Sequence, residues 1–211
     1  MTVNQKNILS VRDMEREDID RILSAAAEFD RGNGTGHELD GKILAVLFFE
    51  PSTRTRMSFS SAMMRHSGKI LNLGSVEATS IAKGETLSDT IRVVSGYADA
   101  IVLRHPKEGA ARLASEVATV PVINGGDGAG QHPSQTLLDL YTIRESMPLE
   151  NIDIGLQGDL RYGRTVHSLA FALSKYNNVR IHTIAPEGLD FPASLKADLS
   201  ELGVELICHD A

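Results

Sequence analysis

The sequence predicts an α/β protein with two doubly wound parallel sheets, of which the second is incomplete. Three observations lead to this fold class. Short apolar runs alternate along the chain with segments of helical periodicity. The apolar run at residues 42–49 is almost unbroken, as in strands that are buried on both faces of a parallel sheet. The rhythm stops at Pro148 and then restarts, which predicts a domain boundary there.

Residues 1–147 are predicted to form the first domain, with strands and helices in alternation. The expected helices cover residues 14–29, 54–66, 87–96, 109–118 and 134–146, and the expected strands cover 42–49, 69–73, 100–103 and 120–123. Residues 74–84 are expected to form a loop, and the glycine-rich stretches 31–36 and 125–130 are expected to do the same.

Residues 148–211 are predicted to form a partial second domain. Its strands are expected at residues 152–156, 179–184 and 204–208, and its helices at 165–176 and 193–202.

The composition is that of a globular protein with a substantial core. Apolar residues make up 42% of the 211 residues, and charged residues make up 23%. The net charge of −7 argues against a nucleic-acid or membrane partner, since both favour a basic face. Cys208 is the single cysteine, so an intramolecular disulfide is excluded and a reducing, cytoplasmic location is expected. No apolar run approaches the roughly 20 residues that span a bilayer.

Polar segments follow each of the first four predicted strands. These segments are residues 52–55, 80–83, 104–106 and 131–135. Parallel strands all end at the same edge of a sheet, and open α/β sheets bind ligands in the crevice beyond that edge. We therefore expect the four segments to converge on one site.

The segment at residues 52–55 has the chemistry of an anion site. It begins a predicted helix, where unpaired backbone N–H groups and the helix dipole favour negative charge. Arg54 adds a charged fork that suits phosphate. Arg56 is two residues further along and points in a different direction, so we assign Arg54 to the ligand and Arg56 to a structural ion pair.

Each of these residues taken singly also has a simpler interpretation. Ser52 alone would most often be an ordinary helix N-cap. Arg54 and Lys83 alone would most often be solvated surface charges, and His132 alone would most often be a turn histidine. For His105 the simple interpretation is retained. The coincidence of four segments at one edge favours function for the others.

The sequence lacks several familiar catalytic arrangements. It has no recognisable Ser–His–Asp triad, paired carboxylates, metal-ligand spacing or Gly-x-x-x-x-Gly-Lys-Ser/Thr loop. Hydrogen-bond donors without a nucleophile indicate that two substrates are brought together and that developing negative charge is stabilised.

Five motifs, in order, resemble those of the carbamoyltransferase family. Residues 48–56, Phe-Phe-Glu-Pro-Ser-Thr-Arg-Thr-Arg, are similar to the family signature, and residues 104–106 and 132–135 are similar to its other carbamoyl-phosphate motifs. Residues 80–87 and 161–168 resemble the aspartate branch, the catalytic chains of aspartate carbamoyltransferase. The resemblance runs from about residue 5 to the end of the sequence.

The resemblance implies a role for each matched residue. The phosphate of carbamoyl phosphate is held by Ser52, Thr53, Arg54 and Thr55. The carbamoyl oxygen contacts Thr55, Arg104 and His132, and the carbamoyl amide contacts Gln135. Aspartate is bound by Lys83, which also reaches the phosphate, and by Arg164. The implied catalytic set is Arg54, Thr55, Lys83, Arg104 and His132.

The resemblance implies transfer of the carbamoyl group from carbamoyl phosphate to L-aspartate, early in pyrimidine biosynthesis. It implies no metal and no organic cofactor. It also implies a homotrimer with shared active sites, in which the Lys83 loop enters the site of a neighbouring subunit, and it leaves open whether regulatory chains bind. Glu50 is hypothesised to orient Arg164. Two alternatives remain: an ornithine carbamoyltransferase, or a non-catalytic anion-binding subunit.

The sequence departs from the family pattern at its C-terminal end. It contains no His-Pro-Leu-Pro-type loop and no later arginine and glutamine segment that would grip aspartate. We therefore expect a chain truncated at its C-terminus that is weakly active or inactive by itself.

Overall fold

The structure is a computed structural model, and it describes residues 7–74, 80–128 and 130–210. Helices and strands alternate as the sequence predicts, and the α/β fold with parallel sheets is confirmed. The helices are α1 (Arg16–Asp30), α2 (Thr53–Arg65), α3 (Leu87–Ser95), α4 (Ala110–Val117), α5 (Pro133–Ser146), α6 (Arg164–Leu173) and α7 (Ala193–Glu201). The strands are β1 (Ile43–Phe48), β2 (Lys69–Asn72), β3 (Ala100–His105), β4 (Val122–Asp127), β5 (Asp153–Gln157), β6 (Arg180–Ala185) and β7 (Glu205–Asp210).

The first sheet has the strand order β2-β1-β3-β4, and its pairs are parallel. The second strand in sequence lies on one side of β1, whereas β3 and β4 lie on the other. The direction of winding therefore reverses between β1 and β3. Such a reversal is a topological switch point, and the crevice that it leaves at the carboxyl ends of the strands is where open α/β sheets bind ligands.

Strand β1 is buried on both faces. Ala45 and Leu47 pack in one cluster with Ile91 of α3. Leu44 and Val46 point to the opposite face and pack with Met63 of α2. Successive side chains of a strand alternate between faces, so an unbroken apolar run is what a doubly covered strand requires.

Strand β4 extends further than the sequence predicts. The expected loop at 125–130 begins three residues too early, because Gly125, Gly126 and Asp127 belong to the strand. A Cβ atom at Gly125 would lie 3.4 Å from the carbonyl oxygen of Leu103 on the neighbouring strand. That distance is an ordinary contact, but Gly126 has a φ of 116°, which favours glycine within this strand, whereas glycine in a sequence ordinarily indicates a turn.

The beginning of the described chain pairs with β4. The amide of Ile8 donates to the carbonyl of Val122 at 2.9 Å, and the amide of Asn124 donates to the carbonyl of Ile8 at 2.8 Å. The side-chain oxygen of Asn7 also accepts from the Val122 amide at 2.8 Å. A single bridge of this kind leaves no periodic signal in the sequence, so it was not predicted.

The second sheet has three parallel strands in the order β5-β6-β7. Leu156 of β5 and Ile181 of β6 are buried on its apolar face. Leu173 of α6 and Leu199 of α7 are also fully buried. The two helices therefore turn their apolar sides inward, as amphipathic crossover helices do.

The chain divides into two compact units. One comprises Met1–Leu9 with Glu28–Gly130, and the other comprises Ser10–Ala27 with Gln131–Ala211. Most of α1 and all of α5 thus belong with the second sheet. The domain limits expected from sequence, 1–147 and 148–211, stay a prediction. None of the helices that the structure describes has the length and apolar character of a membrane span.

Candidate active site

The segment between β1 and α2 holds the predicted phosphate-binding residues. Ser52 is the N-cap of α2, with φ −159° and ψ 105°. Within the described residues its hydroxyl accepts no capping hydrogen bond from the first turn. Ordinary N-capping therefore does not account for this hydroxyl. The first-turn amides and the dipole of α2 favour an anion here, and the hydroxyl is available to contact one.

A cleft of about 570 Å³ opens at this helix start. Its lining includes Glu50, Ser52, Thr53 and Arg56. Arg56 is exposed, and no ion pair of Arg56 is found within residues 7–74, 80–128 and 130–210. The structural ion pair that we predicted for Arg56 is thus not observed there. Arg54 is exposed and Thr55 is partly buried; their contacts with a ligand stay predictions.

Arg104 lies beside this segment because of the strand register. It pairs with Phe48 across β1 and β3. The amide of Phe49 donates to the Arg104 carbonyl at 2.8 Å, which extends the ladder by one residue. The backbone thus places Arg104 at the switch point, next to the turn that leads into α2.

The guanidinium of Arg104 is held in a fixed orientation. Its Nη2 lies 2.6 Å from Oε1 of Glu50, and its Nη1 donates to the carbonyl of Gly125 at 3.0 Å. The side chain is only 13% exposed. Arg104 is therefore not a solvated surface charge. Sequence reasoning did not identify the Glu50 partner.

His105 packs behind this site. Its Nδ1 accepts from the Lys107 amide at 3.0 Å, and its ring lies 5.0 Å from the ring of Phe49. Burial lowers the pKa of the His105 imidazole. These contacts agree with the simple structural interpretation of His105.

Lys83 ends a short 3-10 helix, Ser80–Lys83, and its side chain is exposed. The part of the predicted loop at residues 75–79 lies outside the described residues. The role of Lys83 toward phosphate and aspartate stays a prediction.

In the second unit, His132 is the N-cap of α5. Its Nδ1 accepts from the amide of Gln135 at 3.4 Å and lies 3.2 Å from the hydroxyl of Ser134. An Nδ1 that accepts leaves the proton of a neutral imidazole on Nε2. His132 is 8% exposed. It therefore caps α5 through Nδ1, and its contact with the carbamoyl oxygen stays a prediction.

Gln131 anchors the segment before α5. Its Oε1 accepts from the hydroxyl of Ser10 at 3.2 Å and from the hydroxyl of Ser168 at 3.1 Å. Both serines are buried. These contacts fix the residue before His132, and partners more than 30 residues away in sequence gave no signal that could have predicted them.

Gln135, on the first turn of α5, donates from Nε2 to Oδ1 of Asp139 at 2.9 Å. Sequence reasoning passed over Asp139, although its spacing of four residues from Gln135 on a predicted helix was a usable signal. The contact of Gln135 with the carbamoyl amide stays a prediction.

Arg164 is the first residue of α6 and follows the N-cap Gly163. A Cβ atom at Gly163 would lie 2.6 Å from the carbonyl oxygen of Asp159, so glycine is required there. Oδ1 of Asp159 accepts from the amides of Arg161 and Tyr162, at 3.1 and 3.0 Å. The loop thus fixes where α6 begins. The contact of Arg164 with aspartate stays a prediction.

The first unit defines a class of protein. A helix start and an arginine held at the switch point of a doubly wound sheet are features typical of an α/β protein that binds an anionic ligand. Residues 6–145 match the family described as aspartate/ornithine carbamoyltransferase, carbamoyl-P binding domain. The chain belongs to this family and, by its relatives, to the aspartate carbamoyltransferase catalytic subunits.

The relatives are highly similar in sequence. The aspartate carbamoyltransferase catalytic subunit of Methanocorpusculum labreanum is 84% identical over 210 residues, which are 100% of this chain and 69% of the relative. The catalytic subunit of Methanoculleus marisnigri is 68% identical, over 96% of this chain and 68% of the relative.

Solved structures of aspartate transcarbamoylases are also similar to this chain. The catalytic subunit of M. jannaschii aspartate transcarbamoylase matches with a TM-score of 0.90 and 50% identity, over 96% of this chain and 68% of the other. Aspartate transcarbamoylase from Trypanosoma cruzi, in complex with carbamoyl aspartate and phosphate, matches with a TM-score of 0.89 and 39% identity, over 98% and 67%.

Proposed function

We propose that this protein transfers the carbamoyl group of carbamoyl phosphate to the amine of L-aspartate, giving N-carbamoyl-L-aspartate and phosphate. The observation that carries the proposal is the fixed guanidinium of Arg104 beside the start of α2. It is supported by the names of the relatives and by the T. cruzi structure, which holds carbamoyl aspartate and phosphate.

Phosphate is assigned to the start of α2. Ser52, Thr53 and Thr55 supply hydroxyl donors, and Arg54 supplies a charged fork. The dipole of α2 adds to the attraction within its first turn. The same groups stabilise phosphate as the leaving group, so they act on both the ground state and the departing anion.

The carbamoyl oxygen is assigned to Thr55, Arg104 and His132. The aspartate amine attacks the carbonyl carbon, a C–N bond forms, and the carbonyl electron pair moves to oxygen. Hydrogen-bond donors from these three residues would stabilise the oxyanion. The electron pair on the oxyanion then re-forms the C=O bond. The bond from carbon to the phosphate oxygen breaks, and phosphate leaves with the electrons of that bond. The amine proton is released to the surrounding water or phosphate.

Aspartate is assigned to Lys83 and Arg164. Both are cations, which suit the carboxylates of aspartate and disfavour the side-chain ammonium of ornithine. The named relatives are on the aspartate side as well. The ornithine alternative is therefore not favoured.

We further propose a homotrimer with shared active sites in the cytoplasm, and we leave binding of regulatory chains to experiment. Sedimentation velocity of the purified chain tests the trimer. A species three times the 22.8 kDa chain mass is expected, and a monomer at every concentration would contradict it.

The proposed function is tested by thermal unfolding with N-(phosphonacetyl)-L-aspartate against inorganic phosphate. A ligand that binds only the folded state raises apparent stability by mass action. The bisubstrate analogue should raise the unfolding temperature far more than phosphate, and Arg164→Gln should remove most of that excess. Arg161→Gln, three residues earlier and exposed, is the matched control.

Equal shifts with the analogue and with phosphate would contradict binding of aspartate. Competition separates the two carbamoyltransferase branches. Succinate should compete with the bisubstrate analogue for binding, and norvaline should not. The opposite order would assign the chain to the ornithine branch.

A further inference from the structure

A carboxylate that the proposed reaction does not use lies on the face of α5 that carries Gln135. Gln135 and Asp139 are four residues apart, so their side chains are neighbours on the helix surface. Nε2 of Gln135 donates to Oδ1 of Asp139 at 2.9 Å. Both side chains are partly buried. The contact therefore lies away from bulk water, which strengthens it.

We propose that Asp139 is a positioning residue that fixes the orientation of the Gln135 amide, so that Oε1 of Gln135 accepts from an NH₂ group of the acyl substrate. An ionised carboxylate can only accept hydrogen bonds, whereas a side-chain amide has a donor end and an acceptor end. Asp139 therefore holds the donor end, and the acceptor end is left for the ligand.

The environment of Asp139 argues against an incidental contact. Burial raises the pKa of its carboxyl group, and the hydrogen bond from Gln135 offsets only part of that rise. Placing a carboxylate where burial disfavours its charge destabilises the fold. An aliphatic side chain would fill the position without that penalty, so the carboxylate has a use beyond packing.

The backbone of the same residue completes the arrangement. The amide N–H of Gln135 donates to the carbonyl of His132 at 3.0 Å and to its Nδ1 at 3.4 Å, which fixes the first turn of α5. The first turn of α5 thus presents a carbonyl acceptor from Gln135, which suits the NH₂ group of a carbamoyl substrate. An acceptor at this place would distinguish a carbamoyl group from an acetyl group of the same shape.

This inference rests on the proposed function and adds the residue that orients Gln135 toward the NH₂ of the carbamoyl group. A site built to hydrogen-bond a substrate NH₂ rejects an analogue without it, because its buried polar group is then left unpaired. Two stable phosphonates form a matched pair for the test. Phosphonoacetamide carries the NH₂ group, and acetonylphosphonate carries a methyl group in its place.

The experiment measures the affinity of both probes by calorimetry for the full chain. In the unmodified protein phosphonoacetamide should bind more tightly than acetonylphosphonate and inorganic phosphate. Asp139→Leu should reduce the preference for the amide by about fivefold to tenfold, the effect of one hydrogen bond. The affinity for acetonylphosphonate should stay unchanged. Asp139→Asn, which conserves shape, should reduce the preference by a smaller factor, because Asn can hold either end of Gln135.

Glu145→Gln, which neutralises an exposed carboxylate on the same helix, is the control and should change neither affinity. If the Asp139 variants fold and weaken both probes equally, or weaken neither, the positioning role is overturned while the proposed function stands. If the unmodified protein binds phosphonoacetamide no better than inorganic phosphate, the proposed function fails and the inference fails with it. Should Asp139→Leu not fold, the smaller loss of preference in Asp139→Asn decides the question.

Discussion

Glu50 and Arg104 form an ion pair, with 2.6 Å between Oε1 of Glu50 and Nη2 of Arg104. The pair joins the end of β3 to the segment that follows β1. The side chains are 24% and 13% exposed, so water screens the pair only in part. Glu50 therefore orients the arginine and also offsets part of the charge that an incoming anion would meet.

Neutralising Glu50 should destabilise the protein. Glu50→Gln removes the charge that compensates a largely buried guanidinium, and the free energy of unfolding should fall by about 1–3 kcal/mol. Urea denaturation measures the change. Glu205→Gln is the control, because the Arg180–Glu205 pair is exposed and is expected to contribute no more than about 0.5 kcal/mol. Equal changes in both variants would contradict the prediction.

The same variant tests the hypothesis that Glu50 orients Arg164. If it does, Glu50→Gln should raise the aspartate concentration needed for half-saturation. Comparison of aspartate saturation curves at fixed carbamoyl phosphate measures this. Superimposable curves for the variant and the unmodified protein would refute the hypothesis and leave the Arg104 contact as the role of Glu50.

Mutation can distinguish the helix-capping role of Nδ1 of His132 from the donor role proposed for Nε2. Asparagine also caps helices, so His132→Asn should keep the stability that α5 gains from its N-cap, whereas His132→Ala should lose about 1 kcal/mol of it. Neither variant retains an Nε2 donor, so both should weaken binding of phosphonoacetamide. Unfolding and calorimetry together check the two roles. If His132→Asn restored the affinity as well as the stability, the ring would act only as a cap.

Much of the first sheet was predictable from the sequence, because its strands are buried on both faces. The run at Leu44, Ala45, Val46 and Leu47 fixes a central strand, and the polar segment directly after it fixes the edge where a ligand binds. The motif at residues 52–55 could be identified because its residues are adjacent in the chain.

The remainder depends on partners that are remote in sequence. Glu50 meets Arg104 only because β1 and β3 are neighbours in register, which no local pattern encodes. The glycines at the end of β4 are typical of a loop, yet Gly125 and Gly126 lie in the strand, where the φ of 116° at Gly126 favours glycine. The spacing of Asp139 from Gln135 could have predicted their contact. A carboxylate on a helix is ordinarily solvated, however, and only the structure shows that Asp139 is partly buried.

The stability of the first unit should depend on pH through Glu38. Oε2 of Glu38 lies 2.7 Å from Nδ1 of His66. The hydrogen bond from His66, with backbone hydrogen bonds, lowers the pKa of Glu38 from 4.5 to about 2. A carboxylate whose folded pKa is depressed stabilises the fold above its unfolded pKa. That contribution is lost as the pH falls from about 4.5 to about 2.

Glu38→Gln should therefore flatten the acid limb of the stability curve. The difference in unfolding temperature between the unmodified protein and the variant should be constant above pH 5 and should shrink toward pH 2. Scanning calorimetry in steps of pH measures it. Glu116→Gln, which neutralises an exposed carboxylate on α4, should leave the acid limb as steep as in the unmodified protein. A pH-independent difference for Glu38→Gln would show that its charge is not coupled to folding.

In the second unit, the hydroxyl of Tyr176 ties the end of the α6 region to α1. It donates to Oδ1 of Asp20 at 2.8 Å, and the residue is only 6% exposed. Burial and the hydrogen bond to Asp20 raise the pKa of the Tyr176 phenol far above its usual value, so it stays a donor at ordinary pH. Tyr176→Phe removes the donor and keeps the ring, over which the guanidinium of Arg16 lies at 4.9 Å from the centroid.

The free energy of unfolding should fall by about 1–3 kcal/mol in Tyr176→Phe, the range for a hydrogen bond to a charged group. Urea denaturation measures it. In Asp20→Asn the acceptor is neutral. When Tyr176→Phe is made in that background, the free energy of unfolding should therefore fall by roughly half as much. Tyr162→Phe is the control for loss of a phenol, because Tyr162 is 72% exposed and should change stability by less than about 0.5 kcal/mol. If Tyr176→Phe matched that control, packing of the ring against Arg16 would be the whole contribution of Tyr176, and the hydroxyl would be dispensable to the contact between α1 and the end of the α6 region.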